Sequence, residues 1–352
     1  MSFNRQQRLF RHFAAALMVL ILYSMFATAA AEPANNPESP IMVPNPASDL
    51  WRAVRQREAA QAGHTQVKGV EAGVFINAGG EGWRHFRTNQ LVPYSGWLFG
   101  GMAAVIALFF LVRGRIRIEG GRSGRLVPRF SVNQRVAHWF LAILFLFLGL
   151  TGLVLLFGRY VLLPVIGPEA FSAVAAASKE GHNLFGPIFP FAVLGVLGLF
   201  LRGNGFGWKD VKWFLKGGGM FSKHMPPSGY YNAGEKTWYW LVVLGGLAIS
   251  VSGYVLVFHI FGQSREVMEW AHMVHAVAAI GLLVASLGHM YIGSVGMEGA
   301  FESMSQGYVD ANWAKEHHSD WYRDMEQDGM VVTEANALEE IKRHDDVVHE
   351  RG

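Results

Sequence analysis

The feature that most constrains this chain is a long apolar stretch near its C-terminal end that carries three histidines. Residues 270–293 are apolar and numerous enough to cross a bilayer, because about 20 helical residues span its ~30 Å hydrocarbon core. The stretch contains His272, His275 and His289. Ionisable side chains inside a membrane segment are costly and count as functional candidates by default. The stretch therefore predicts a membrane helix that does more than anchor the chain.

Two of these histidines share one face of the predicted helix. His275 and His289 are 14 residues apart, which places them within roughly 40° around the axis and about 21 Å apart along it. His272 lies about 100° from that stripe. Two histidines on one stripe, one near each membrane face, suit two stacked metal sites better than one. We expect this helix to give one axial ligand to each of two haems.

Composition agrees with a membrane protein and limits its chemistry. Of the 352 residues, 51% are hydrophobic and only 16% are charged. The chain has no cysteine, which excludes disulfides, cysteine-bound iron–sulfur clusters and covalent haem attachment. The net charge of +3 collects in connectors and gives no reason to expect nucleic acid. A redox metal must then be held by His, Met, Asp or Glu.

The order of segments predicts an all-α integral membrane protein. Residues 1–31 have the basic start, apolar run and small-residue end of a cleaved signal peptide. Residues 32–93 follow as a periplasmic segment with a proline-rich start. Spans are expected at 94–112, 136–157, 182–201, 237–260 and 270–293, before a polar cytoplasmic tail at 294–352. The fold is thus a bundle of four haem-core helices at 130–293 plus one extra N-terminal span, without an evident internal repeat.

The distribution of basic residues predicts the orientation. Residues 113–129 contain six arginines, and residues 202–236 contain six basic residues. The connectors expected on the opposite side hold only Arg159, Lys179 and Arg265. The positive-inside rule then places the C-terminus in the cytoplasm and the mature N-terminus outside.

Four intramembrane histidines are expected to pair by depth. His138 begins the second span and His289 ends the fifth, both near the inner face. His182 begins the third span and His275 lies early in the fifth, both near the outer face. A bis-imidazole haem needs two axial nitrogens from opposing helices. We predict an inner haem on His138 and His289. The outer haem is expected on His182 and His275, with hydrogen-bonded packing as the alternative for any single histidine.

Glycines and the remaining histidines refine this picture. Six span glycines would let a flat macrocycle or a neighbouring helix approach, although ordinary small-residue packing explains them equally well: Gly149, Gly152, Gly195, Gly198, Gly281 and Gly288. A zinc site is disfavoured because the four candidates separate into two depths. His64 and His85 are expected to be exposed or packed polar residues, and His259 and His272 to be interfacial, with a ligand role as the alternative for these four. Four further histidines lie in polar segments and are expected to be solvated: His224, His317, His318 and His349.

A second candidate site is the loop YYNAGEK at residues 230–236, just before the fourth span. It lies level with the predicted inner haem. Asn232 and backbone donors could hold a quinone carbonyl, while the tyrosines line an apolar cleft. The alternative is a loop that starts a helix and carries interfacial aromatic residues and a snorkelling lysine.

At this point the chain resembles the cytochrome b (gamma) subunit of respiratory formate dehydrogenases over roughly residues 129–323. The resemblance rests on RVAHWF with His138, GHNLFGP with His182, YNAGEK with Asn232, MVHAVAAIG with His275 and GHMYIGSVGMEGAFESM with His289, followed by WAKEHHSDWY. It implies two b haems in four membrane helices, with the same histidine pairs, and adds Gly234 to Asn232 in the quinone site. The signal-like N-terminus, outer segment and extra first span depart from that pattern.

The resemblance also implies partners and a role. Such a subunit sits in the bacterial inner membrane and anchors a molybdenum or tungsten formate dehydrogenase alpha subunit through an iron–sulfur beta subunit. It passes electrons to membrane quinone and does not oxidise formate by itself. A cytochrome b subunit of a nickel–iron hydrogenase or thiosulfate reductase would have nearly the same haem placement and stays open. A haem-free anchor or transporter would leave the four paired histidines unexplained.

Overall fold

A computed structural model describes residues 78–219, 225–258, 260 and 262–336, and these residues are mostly helical. The predicted signal peptide at 1–31, most of the 32–93 segment and the last part of the tail lie outside the described residues, as do His64, His224, His259 and His349. Within the described residues, five helical segments are long and apolar enough to cross a membrane: Gly80–Arg113, Val132–Val161, Leu163–Phe200, Ala233–Val257 and Arg265–Gly296. The predicted all-α membrane bundle is therefore confirmed.

The first span begins earlier than the expected residue 94. Helix α1, Ala78–His85, continues through a π-helical turn, Phe86–Leu91, into α2, Val92–Arg113. Pro93 has no N–H to donate to the helical ladder, and the π-helical turn stands directly before it. Arg87 donates to the carbonyl of Leu155 at 3.3 Å and so joins this segment to the second span.

The second and third spans form a helical hairpin. Helix α3, Val132–Val161, starts at a capping box between Ser131 and Gln134. The third span comprises α4, Leu163–Phe185, a 3-10 turn, Gly186–Ile188, and α5, Phe189–Phe200.

The third span corrects the expectation that His182 begins a helix after a loop at 158–181. Residues 163–181 are helical, with a bend at Gly167, whose φ is +78°. Their charged residues depress hydropathy, so an apolarity criterion misses them. Close packing of α4 on α3 supports the helix instead: a Cβ at Gly181 would lie 2.9 Å from the ring of Phe147.

The fourth and fifth spans form the second hairpin. A short helix α6, Trp208–Leu215, precedes α7, Ala233–Val257, which packs along α8, Arg265–Tyr291. A π-helical turn, Ile292–Gly296, ends the fifth span. The bundle core is built from apolar residues of α3, α5, α7 and α8, including Leu144, Val193, Phe189, Val243 and Leu282.

A small three-stranded sheet closes one end of the bundle. Strand β1, Arg125–Pro128, pairs antiparallel with β2, Tyr308–Asp310, and with β3, Val332–Thr333. Three short helices complete it: α9, Ala300–Ser305, α10, Ala311–His317, and α11, Ser319–Gln327. We call residues 116–130 and 297–333 the sheet subdomain. Its own core contains Val127, Val309, Trp313 and Trp321, so the predicted surface tail is partly a packed structure.

Candidate functional site

The structure brings the four intramembrane histidines together as two pairs. The rings of His138 on α3 and His289 on α8 have centroids 6.2 Å apart. The rings of His182 on α4 and His275 on α8 have centroids 6.0 Å apart. All four side chains are half-buried. The His138–His289 pair lies nearer the sheet subdomain, since it uses the start of α3 and the end of α8.

The separation of the rings fits two imidazoles that share one metal ion. An imidazole nitrogen binds a transition metal at about 2.0 Å, and it lies about 1.1 Å from its own ring centre. Two rings on opposite sides of an ion then have centroids about 6 Å apart. Both pairs match this value. Nowhere in residues 78–336, as far as they are described, do three or more His, Cys, Asp or Glu side chains converge on one point.

The tautomer of His182 follows from its hydrogen bond with Thr151. Its Nδ1 lies 2.9 Å from the Thr151 hydroxyl, which itself lies 3.0 Å from the carbonyl oxygens of Phe147 and Leu148. The hydroxyl has one proton, and carbonyls can only accept. Because that proton goes to a carbonyl, Nδ1 of His182 must carry the proton shared with Thr151. The lone pair then sits on Nε2, the nitrogen that faces away from this bond.

In the second hairpin, His275 on α8 is oriented in the same way by a hydroxyl group on α7. Its Nδ1 lies 3.0 Å from the carbonyl of Ile249 and 3.2 Å from the hydroxyl of Ser252. Ser252 also donates to the carbonyl of Ala248 at 2.6 Å. Nδ1 of His275 therefore donates, and Nε2 is free to bind a metal. Such a second hydrogen bond is the usual companion of a metal-bound histidine.

Thr151 and Ser252 were missed by the sequence reasoning, although a local signal exists. Each hydroxyl residue is followed by a glycine, in TGLVL at residues 151–155 and SGYVL at residues 252–256. A Cβ at Gly152 would lie 3.5 Å from Cε1 of His182, and one at Gly253 would lie 3.2 Å from Cε1 of His275. The repeated hydroxyl–glycine step thus gives each ring a hydrogen-bond acceptor and room to lie against the helix.

The His138–His289 pair has different neighbours. Nδ1 of His138 is buried and has no hydrogen-bond partner in the described part of the chain. The ring of His289 stacks on Trp238 of α7, with centroids 4.5 Å apart and an interplanar angle of 13°. Trp139 meets His138 edge-on and donates its indole N–H to the carbonyl of Met304. Aromatic contacts therefore replace the hydroxyl contacts of the other pair.

Two of the six span glycines lie close to a side chain of another helix. A Cβ at Gly149 would meet Leu283 of α8 at 2.7 Å, and Gly152 lies against His182 as described. At the other four, a Cβ would meet no described atom of the rest of the chain within 4 Å: Gly195, Gly198, Gly281 and Gly288. Close helix approach therefore concerns α3 and its neighbours.

The predicted quinone residues lie together at the start of α7. The side-chain oxygen of Asn232 accepts from the N–H of Glu235 at 3.0 Å, and the Glu235 carboxylate accepts from the N–H of Asn232 at 2.9 Å. This capping box explains the loop in terms of helix initiation. A Cβ at Gly234 would lie 3.2 Å from the ring of Trp213. Trp238, which stacks on His289, lies six residues after Asn232, about 9 Å along the helix.

A buried polar cluster joins that loop to the sheet subdomain. The guanidinium of Arg129, with 1% of its side chain exposed, donates to Glu235 at 2.9 Å and to the carbonyl of Tyr230 at 3.1 Å. Four aromatic rings lie 5.1–5.4 Å from its central carbon: Phe130, Tyr230, Trp313 and Trp321. Nε2 of His318 lies 3.7 Å from the Glu235 carboxylate. The sequence reasoning did not identify this cluster.

The expectation that His317 and His318 are solvated is wrong. His317 is 4% exposed and His318 is fully buried. Burial, with a smaller contribution from Arg129, lowers the pKa of His317 to about 4. The same two causes hold the pKa of His318 well below its ordinary value. Packing of α10 on the sheet buries both rings, and a hydropathy profile contains no such information.

Two other histidines stay outside the pairs. His85 contacts the side chain of Asn89 on the exposed side of the π-helical turn. His272 donates its Nδ1–H to the carbonyl of Met268 at 2.8 Å, and its ring lies 5.5 Å from that of Trp83. Both side chains are exposed.

Comparison with known proteins agrees with this site. The family described as prokaryotic cytochrome b561 matches residues 129–307, which include both histidine pairs. The nitrate-inducible formate dehydrogenase cytochrome b556(Fdn) subunit of Escherichia coli K12 is 28% identical over 213 residues, 58% of this chain and 93% of that relative. The cytochrome b556(fdo) subunit of the same strain is 25% identical over 203 residues, 56% of this chain and 93% of the relative.

A formate dehydrogenase cytochrome b556 subunit of Haemophilus influenzae is 27% identical over 219 residues, 59% of this chain and 87% of the relative. The predicted resemblance to formate dehydrogenase cytochrome b subunits is thereby confirmed. The family implies haem b, and the ring separations and the Nδ1 hydrogen bonds of His182 and His275 fit that group. With its match spanning half of the sequence and both histidine pairs, this multi-pass membrane protein belongs to the prokaryotic cytochrome b561 family.

Proposed function

We propose that the chain is the membrane-anchoring subunit of a formate dehydrogenase complex. In this role it carries electrons from an iron–sulfur partner to membrane quinone and uses two bound b haems. The observation that carries the proposal is the presence of two histidine pairs, with ring centroids 6.2 and 6.0 Å apart, in one bundle. The names of its relatives support the choice of formate dehydrogenase.

The chain's own residues would hold the two groups separately. His138 and His289 would bind the haem nearer the sheet subdomain, and His182 and His275 would bind the other. When bound, haem b supplies a reversible one-electron centre. Because His275 and His289 lie on one continuous helix, α8, their separation along the axis stays at about 21 Å. Two haems held by these residues would therefore be separated by the length of α8 between them and would lie beside the apolar core of the bundle.

Charge supports an orientation with the sheet subdomain in the cytoplasm. The arginine-rich connector before α3 forms β1, and Lys209 of the second basic connector pairs with Asp320 of α11 at 2.9 Å. Both basic connectors therefore meet at one end of the bundle, which the positive-inside rule assigns to the cytoplasm. The pair His182–His275 would then be the outer one, and the mature N-terminus would follow the predicted signal peptide into the periplasm.

The outer end would receive the partners. An iron–sulfur beta subunit and a molybdenum or tungsten alpha subunit would sit on the periplasmic side, where formate is oxidised. This chain would not oxidise formate itself. Its contribution would be anchoring, electron conduction and quinone reduction.

The quinone would bind near the start of α7. The oxygen of Asn232 already accepts from Glu235 N–H, so a quinone carbonyl would be met by the side-chain NH₂ group, which can only donate. Gly234 lies directly against Trp213 and Asn232, where a Cβ would be 3.2 Å from each, so the absence of a side chain keeps Asn232 and Trp213 close together at the helix start. Trp238 connects this position to His289.

A dithionite-reduced minus oxidised spectrum of the purified subunit, with extractable haem counted per chain, tests the core of this proposal. Two non-covalent b haems per chain are expected. One haem would mean that one pair is structural, and a folded, haem-supplied preparation without haem would refute the electron-transfer role. Formate-dependent haem reduction in membranes containing the whole complex tests the donor, and its absence with intact haems would favour a different partner enzyme.

A further inference from the structure

The two histidine pairs differ in the hydrogen bonds made by their Nδ1 atoms. In the pair farther from the sheet subdomain, both Nδ1–H groups donate: His182 to Thr151 and His275 to Ile249 and Ser252. In the other pair, no hydrogen bond to a ring nitrogen of His138 or His289 is found within the described residues. The contrast concerns ligand chemistry, because all four rings belong to the same bundle.

The hydroxyls are firm acceptors. The Thr151 hydroxyl lies 3.0 Å from two carbonyls of its own helix, and Ser252 lies 2.6 Å from the carbonyl of Ala248. These bonds consume the hydroxyl protons, so the oxygen lone pairs point to the imidazoles. The neighbouring Gly152 and Gly253 keep each ring within reach of its hydroxyl.

An acceptor at Nδ1–H changes the metal as well as the ring orientation. It draws the Nδ1 proton away from the ring and makes Nε2 a stronger electron donor. A stronger donor favours ferric over ferrous iron and lowers the reduction potential, which hydrogen bonding around the ligands is known to tune. A ring without such an acceptor leaves the potential higher.

We propose that Thr151 and Ser252 are positioning residues that hold the reduction potential of the haem at His182 and His275 below that of the other haem. Electron transfer from the hydroxyl-supported centre to the one beside Trp238 is then downhill. Both hydroxyl groups therefore favour electron transfer toward the sheet subdomain. This inference rests on the haem ligation of the proposed function and goes beyond it by assigning the order of the potentials.

The test is optical measurement of both haem potentials in the full-length protein carrying Thr151→Val, Ser252→Ala or both. The lower-potential component should move to a more positive potential, and the higher one should stay in place. A tenfold change in the equilibrium between ferric and ferrous iron corresponds to a shift of about 59 mV in the potential of a one-electron couple. The double variant should shift more than either single one. The low-spin ferric EPR signal of one haem should change with the potential.

Matched controls exist in the same helices. Ser250 and Thr237 on α7 donate to the carbonyls of Gly246 and Ala233, and among the described residues neither is hydrogen-bonded to a histidine. Ser250→Ala and Thr237→Val should therefore leave both potentials unchanged. Thr151→Ser retains a hydroxyl and should restore the native potential where Thr151→Val shifts it.

The outcomes separate this inference from the proposed function. Two haems per chain with unshifted potentials in the double variant would overturn the inference alone, as would a shift of the higher component or an equal shift in Ser250→Ala. If Thr151→Val loses a haem, Thr151→Ala decides by the same criterion, because His275 keeps the carbonyl of Ile249 as an acceptor in Ser252→Ala. Fewer than two haems in the unsubstituted protein would overturn the proposed function, and the inference with it.

Discussion

Arg129, at the end of strand β1, donates to the carboxylate of Glu235 in the first turn of α7 at 2.9 Å. The same carboxylate completes the capping box with Asn232. The Glu235 side chain thus caps the start of a membrane helix and also binds the sheet subdomain through Arg129. The region around the predicted quinone residues is therefore supported by residues more than 100 positions away in sequence.

Arg129→Met should loosen that connection. Removing one partner of a buried ion pair typically costs about 3–5 kcal/mol, and the 37% exposure of the Glu235 side chain places the expected cost at or below the lower end. The measurement is the thermal stability of the purified protein. Arg323→Met is the control, because its pair with Asp320 is exposed and should contribute less than about 1 kcal/mol. Equal effects of both substitutions would contradict a special role of Arg129.

Acid should weaken the packing of α10 in the sheet subdomain. The pKa of His317 falls to about 4 on burial, and that of His318 lies well below 6.5. Above pH 6.5 both rings are neutral whether folded or unfolded, so they impose no penalty. Between pH 6.5 and 4 only the unfolded segment gains protons, and each ring costs about 1.4 kcal/mol per pH unit.

Hydrogen exchange of residues 308–322, corrected for the intrinsic pH dependence, measures this loss. Protection should decline over that pH range while the amides of α3 keep theirs. Substitution of the exposed His85 should not alter the profile. Constant protection of residues 308–322 down to pH 5 would show that the rings are not buried in the neutral form.

Alanine substitutions of the four histidines should remove haem selectively. His182→Ala or His275→Ala should remove one haem, and His138→Ala or His289→Ala the other, because each iron would lose one of its two nitrogen ligands. Haem content per chain and the reduced spectrum report the loss. His272→Ala should retain both haems, since its ring bonds to Met268 and packs on Trp83, away from both histidine pairs. Full haem content in all four variants would rule out the pairing.

A methyl group added beside the ring of His275 should weaken haem binding at the His182–His275 pair only. A Cβ at Gly253 would lie 3.2 Å from Cε1 and 3.4 Å from Nδ1 of His275, so Gly253→Ala should displace the ring by a few tenths of an ångström and weaken haem retention there. Gly100→Ala on α2 meets no described atom within 4 Å and lies outside the four haem-core helices, so it serves as the control. Haem retention during detergent washing provides the readout. Similar retention in both variants would argue against close packing at Gly253.

The role of Asn232 can be separated into its capping and its binding part. Asn232→Ser keeps an acceptor for Glu235 N–H but removes the NH₂ donor, so helix α7 should remain stable while quinone reduction slows. Asn232→Ala should also lose about 1 kcal/mol of capping energy. Haem reduction by the electron donor should be unchanged in both. Normal quinone kinetics in Asn232→Ser would restrict this residue to capping.

The membrane bundle could be predicted from the sequence because bilayer thickness sets a length that apolar runs either reach or do not. Five runs reach it, and they recur as helices in the structure. The spacing of His275 and His289 is equally local, since the pitch of one helix determines it. Because the chain has no cysteine, thiolate ligands are excluded, and histidine becomes the main candidate for binding a redox metal.

What only the tertiary structure decided are the contacts between distant segments. Thr151 reaches His182, and Ser252 reaches His275, only because the two helices of each hairpin pack with particular rotations about their axes. His317 and His318 are polar in any hydropathy profile, yet pairing of β2 with β1, about 180 residues earlier in the chain, leads to their burial. The helical structure of residues 163–181 likewise depends on their packing against α3. Periodicity and length describe one segment at a time, whereas hydrogen bonds and burial depend on which segments meet.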